Sequence, residues 1–136
     1  MTNKPKKQGT TFESFLVKKL HERGFTDAKR IAEGGSKDIG DIELSVENND
    51  FVIECKARQT LNVTRELFKA KEKANKDLPY GITKFVILAW KRLVKSQGSN
   101  RIPDGERLVY VVDHDTMMWL LQGGITSETK KKTKKT

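Results

Sequence analysis

Two short segments facing each other across a turn constrain this chain more than any other part of it. They are Gly40-Asp41-Ile42-Glu43-Leu44-Ser45-Val46 and Phe51-Val52-Ile53-Glu54-Cys55-Lys56-Ala57-Arg58, with the turn Glu47-Asn48-Asn49-Asp50 between them. In an extended strand successive side chains alternate between the two faces. Phe51, Ile53, Cys55 and Ala57 then share one face, and Val52, Glu54, Lys56 and Arg58 the other. The first segment behaves alike: Ile42, Leu44 and Val46 form an apolar face, with Asp41 and Glu43 opposite. Pairing through the turn brings Asp41, Glu54 and Lys56 together at one end of a sheet. Charges buried on a strand face are costly unless they pair or bind a metal. Two carboxylates beside a lysine can hold a hard divalent cation and position a water.

The rest of the chain supplies the layers such a hairpin needs. Phe12, Phe15, Leu16 and Leu20 recur at helical spacing over residues 11–23, with Thr10 or Thr11 as cap and Gly24 as stop. Residues 28–33 read as a short strand and Gly34-Gly35-Ser36 as a loop. Residues 64–77 form a polar helix capped at Thr64 and ended by Pro79-Tyr80-Gly81. The unbroken apolar run Phe85-Val86-Ile87-Leu88-Ala89-Trp90 has the length of a central strand covered on both faces. A basic connection over 91–106 leads to a strand at 108–112, and Met117, Leu120 and Leu121 mark a closing helix ended by Gly123-Gly124. The order α-β-β-β-α-β-β-α predicts an α/β domain with a mixed central sheet flanked by helices.

In this order and with these residues the chain resembles the PD-(D/E)xK nuclease superfamily, and within it Holliday junction resolvases of the phage and archaeal type. The shared features are Phe12-Glu13-Ser14-Phe15 on the first helix, Gly34-Gly35-Ser36-Lys37, Asp41, and Glu54-Cys55-Lys56 thirteen residues later. The strict Pro-Asp pair is absent, because Gly40 precedes Asp41. The resemblance spans about residues 10–90. It implies a restriction-endonuclease-like core and a metal-dependent, structure-selective DNA endonuclease acting as a homodimer. It also implies Mg²⁺, with Mn²⁺ as a substitute, held by Asp41 and Glu54. Lys56 is then expected to activate the attacking water or stabilise the phosphate, and Glu13 to support the site through water. Other nucleases of the same fold (flap, single-strand, repair or restriction-like) and a non-catalytic DNA-binding protein are the alternatives.

Around the acidic cluster, Arg30, Ser36, Lys37, Arg58, Gln59, Lys91 and Arg92 are candidate phosphate contacts, which need only reach and positive charge. Asp38, three residues upstream, competes with Asp41, but Asp41 has the better strand phase. His21 and His114 lack partners at metal-ligand spacing, which argues against zinc. Trp90 and Trp119 read as core. No glycine-rich nucleotide loop is present.

Charge is placed unevenly. The chain has 136 residues and a net charge of +9, and most of that excess sits in Lys4, Lys6, Lys7 and the five lysines of residues 128–136. Residues 1–9 and 125–136 therefore read as basic disordered tails around a domain at 10–124, able to attract nucleic acid without sequence preference. Neither a membrane-spanning apolar run nor a signal peptide is visible, and the lone Cys55 suits a reducing cytoplasm, that of a host cell if the chain is phage-encoded. Apolar surface for a dimer is expected on the closing helix and near the 85–90 strand.

Overall fold

The computed structural model describes residues 4–31, 39–93 and 107–123, with side chains described from residue 12 onward. Among the described residues eight elements follow in the expected order: α1 (Lys4–Glu22), β1 (Lys29–Arg30), β2 (Ile42–Val46), β3 (Asn49–Arg58), α2 (Val63–Asn75), β4 (Phe85–Arg92), β5 (Leu108–Val111) and α3 (His114–Leu121). The five strands form one mixed sheet in sequence order, antiparallel except where β3 runs parallel to β4. Parallel neighbours need a crossover, and α2 provides it.

Apolar alternation sorts the two faces. Ile42, Leu44, Phe51, Ile53 and Ala89 pack beneath Phe12 and Leu16 of α1 and Trp119 of α3. Phe51, Phe85 and Trp119 form a ring cluster with centroids 4.9–5.3 Å apart, a separation at which aromatic pairs attract beyond their buried area. On the other face Val52, Val86 and Leu88 meet Leu67, Ala70 and Ala74 of α2. The two alanines let this helix lie close to the sheet. Val86, Leu88 and Ala89 are all buried, as a central strand requires.

Several boundaries differ from the sequence reading. The hairpin turn is only Glu47-Asn48, both at positive φ (51° and 64°), so Asn49 and Asp50 belong to β3. Two successive residues in that conformation give the turn whose twist matches paired strands. Helix α1 begins at Lys4 rather than near Thr11, so residues 4–9 of the expected arm continue the helix. Pro5 suits a first turn, where its missing N–H has no partner to lose. Asn62, not Thr64, caps α2, its side chain accepting from the Arg65 N–H at 3.1 Å. That helix ends at Asn75, ahead of Pro79, where the Asn75 amide accepts from the Lys84 N–H at 2.6 Å and donates to the Lys84 carbonyl at 3.3 Å. The early strand is confined to Lys29–Arg30 among the described residues. Ser36, Lys37, Asp38, most of the 91–106 connection and residues 125–136 lie outside them. Among the described residues no helix is long and apolar enough to cross a membrane.

Candidate functional site

Strand lengths create the site. The five-residue β2 pairs with β3 only from Val46↔Asn49 to Ile42↔Ile53, whereas β3 continues to Arg58 beside β4. Past the Ile42↔Ile53 pair the chain leading into β2 bends at Asp41 and Gly40. The Asp41 N–H still donates to the Ile53 carbonyl at 3.1 Å. Its carboxylate Oδ2 accepts from the Cys55 N–H at 2.8 Å, supplying a partner where the strand ladder has stopped.

Gly40 makes that bend possible. A Cβ there would lie 2.2 Å from Val52 Cγ1, and φ is +156°. A proline, locked near φ −65°, cannot occupy this position.

Glu54 points to the α2 face and is 6 % exposed. Burial raises its pKa above the usual carboxylate range, and the Asp41 charge raises it further, while Lys73 and Lys56 pull it down. Lys73 of α2 donates to Oε1 at 3.2 Å, and Lys56 Nζ stands 3.8 Å from the same atom. Oε2 is buried and has no hydrogen-bond partner among the described residues, although the Lys73 ammonium lies 3.2 Å away. Buried polar atoms of this kind are rare in folded proteins and mark sites that a ligand or ion can complete. Glu54, Lys56, Glu66, Lys69, Lys73 and Lys76 are among the residues lining an open cleft of about 840 Å³ between β3 and α2.

The α1 face carries the second part. Glu13 is ion-paired with Arg30 at 3.6 Å. Burial pushes the Cys55 thiol far up, and the charges of Asp41, Glu13 and Glu54 push it further, so the three carboxylates act on one point. Cys55 remains a protonated, half-buried thiol packed against the core.

The basic candidates separate by position. Arg58↔Arg92 and Ala57↔Lys91 are register partners, so Arg58, Gln59, Lys91 and Arg92 gather at the far ends of β3 and β4. Arg58 is engaged with Glu66 at 3.5 Å, and Arg92 stacks 5.8 Å over Trp90. Arg30 lies on the other side with Glu13. The His21 ring nitrogen bonds the Ala28 carbonyl at 2.7 Å, a structural use. Trp90 is half-buried and donates to the Arg58 carbonyl at 2.9 Å, while Trp119 is core.

Lys73, Lys69 and Glu66 were not singled out from the sequence. The signal was available in the buried stripe Leu67, Ala70 and Ala74, which puts its flanking residues at the sheet. Among the described residues no group of three or more His, Cys, Asp and Glu side chains is arranged to hold a metal. Asp41 lies near enough for its charge to raise the Glu54 pKa, and the two carboxylates offer the oxygen ligands that a hard cation takes. Compared with known proteins, no family model and no curated protein matches the chain.

Proposed function

We propose that the chain is a metal-dependent DNA endonuclease, with Asp41 and Glu54 holding Mg²⁺ or Mn²⁺ at the open end of β3. The observation that carries this reading is the buried Glu54 Oε2, which accepts no hydrogen bond among the described residues and belongs to a side chain that lines a cleft beside two lysines. A bound divalent cation there supplies Lewis-acid stabilisation of charge developing on a phosphate oxygen. Lys56, 3.8 Å from Glu54, would orient the attacking water and stabilise the same charge. Asp41 keeps its position through the Cys55 N–H, so its second oxygen is presented in a fixed direction. Glu13 supports the acidic neighbourhood from α1.

Within that class the reading favours a junction-resolving enzyme with a restriction-endonuclease-like core. The mixed sheet with helices on both faces, and the order of Glu13, Asp41, Glu54 and Lys56 along it, support this. Arg58, Gln59, Lys91 and Arg92 would contact the DNA backbone, as would Arg30 together with Ser36 and Lys37. A two-fold dimer would place two such sites on two strands. The exposed Met117, Leu120 and Leu121 of α3 offer apolar surface for it, whereas most of the 85–90 strand is occupied by the core.

The test is cleavage of a four-way junction, a flap, a duplex and a single strand, with Mg²⁺ and with EDTA. Cutting that requires metal and disappears in Glu54→Gln supports the proposal. Metal-independent cutting, or none on any substrate, overturns it.

A further inference from the structure

Lys73 lies on α2, outside the two strands that carry Asp41, Glu54 and Lys56. Its Nζ stands 3.2 Å from each carboxylate oxygen of Glu54, nearer than Lys56 at 3.8 Å. Among the described residues Oε1 receives a hydrogen bond and Oε2 receives none. The Lys73 side chain is 35 % exposed, so the contact is open to exchange with solvent. Lys69 and Lys76 line the same cleft, and spacings of four and three residues set all three ammonium groups along one stripe of the helix. Two other carboxylates line the cleft, Glu72 and Glu66, and the latter is engaged by Arg58 at 3.5 Å and Lys69 at 4.0 Å. Lysine is a compact charge on a flexible stem and can change anions without moving its helix.

We infer that Lys73 is the resident counter-ion of Glu54, displaced when a divalent cation takes that carboxylate and then passed, in line with Lys69 and Lys76, to a phosphate of the bound DNA. This rests on the reading of Glu54 as a metal ligand. Metal and DNA then reinforce each other: the metal releases Lys73 for the phosphate, and the phosphate keeps Lys73 from returning to Glu54. Such coupling is reciprocal by thermodynamic necessity. Lys73 acts here as a positioning residue, because it touches the metal's ligand rather than the metal.

The experiment uses the full chain and two readouts other than cleavage. Mn²⁺ binding without DNA is followed by loss of the free-ion paramagnetic signal. Affinity for a four-way junction is followed by fluorescence anisotropy in EDTA and in Ca²⁺. Lys73→Gln and Lys73→Met should bind Mn²⁺ roughly three- to tenfold more tightly than the natural chain, the worth of one half-exposed charge at contact distance. Lys73→Arg should return the affinity towards the natural value, and Lys76→Gln should change it less than twofold, being farther from Glu54. Ca²⁺ should strengthen junction binding more in the natural chain than in Lys73→Gln. Unchanged or weaker Mn²⁺ binding by folded Lys73→Gln and Lys73→Met overturns the counter-ion role and leaves Glu54 as a ligand. Failure of the natural chain to bind Mn²⁺, or equal binding by Glu54→Gln, overturns both readings.

Discussion

Asp41 and Cys55 are joined by a 2.8 Å hydrogen bond from the Cys55 N–H to the Asp41 carboxylate, in the place where a strand-to-strand bond would otherwise fall. One oxygen of the acid is thereby structural, and the other is left for chemistry. The two duties predict different outcomes for different replacements.

Asp41→Asn keeps an acceptor for that N–H and should fold with near-natural stability. Asp41→Ala removes it and should cost about 1–3 kcal/mol, the usual penalty for stranding a buried donor. Both should lose metal-dependent cleavage. Urea denaturation beside a cleavage assay separates the effects, and equal stability of the two variants would show that the bond contributes little.

Glu54 gives a pH dependence with a defined sign. Its folded-state pKa lies above the ordinary value near 4.5, first through burial and then through Asp41. Ionising it therefore costs the folded state more than the unfolded one. The metal-free protein should lose stability from this group as pH rises from about 4.5 through the raised pKa, and Glu54→Gln should remove that loss. Denaturation midpoints in EDTA across this interval test it. An identical pH profile for the two proteins would contradict the sign.

How far the site could be read from the sequence depended on which physical signal carried each residue. Glu54 and Lys56 stood out because strict alternation put them on one strand face with the apolar Val52, and the observed register kept them there. Asp41 followed from the hairpin, although the turn proved two residues long. Asn49 and Asp50 looked like turn residues by type, yet the positive φ falls on Glu47 and Asn48. Lys73 was hidden because lysine and glutamate occur around much of α2. Only the docking of Leu67, Ala70 and Ala74 reveals which lysines meet the sheet. The helix start at Lys4 escaped notice because Thr10 and Thr11 are good caps by type, while a helix already formed downstream extends at little cost.

Gly40→Ala should destabilise the fold by roughly 1–3 kcal/mol, the range for forcing an extra group into a packed site. The added methyl would collide with Val52 Cγ1 at 2.2 Å. Because Gly40 leads directly into Asp41, activity should fall further than stability. A thermal melt close to that of the natural chain would show that the bend can relax.

Asp113 anchors α3 through two contacts: it caps the helix at the Thr116 N–H and pairs with Lys71 of α2. Burial pushes its pKa up, but the hydrogen bonds from Lys71 and Thr116 prevail and hold it down at about 2. Its stabilisation is therefore present above the ordinary value of 3.8 and lost as pH falls through about 2. Asp113→Ala should cost about 1 kcal/mol at neutral pH, as loss of a helix cap does. It should also flatten the acid limb of a stability–pH curve, and an unchanged limb would assign acid sensitivity elsewhere.

The mismatch between a ten-residue β3 and a five-residue β2 divides one strand into two regimes of tolerance. From Phe51 to Ile53 each residue has strand neighbours on both sides, and a substitution is felt as lost packing. From Glu54 onward no strand among the described residues pairs on the β2 side, and a substitution at Glu54 or Lys56 is felt by whatever occupies the cleft. A saturation scan along β3, scored separately for abundance and for cleavage, should show the two profiles crossing at the Ile53–Glu54 peptide. Laboratory evolution could then retune residues 54–58 for new substrates while leaving the foldability encoded in residues 49–53 untouched.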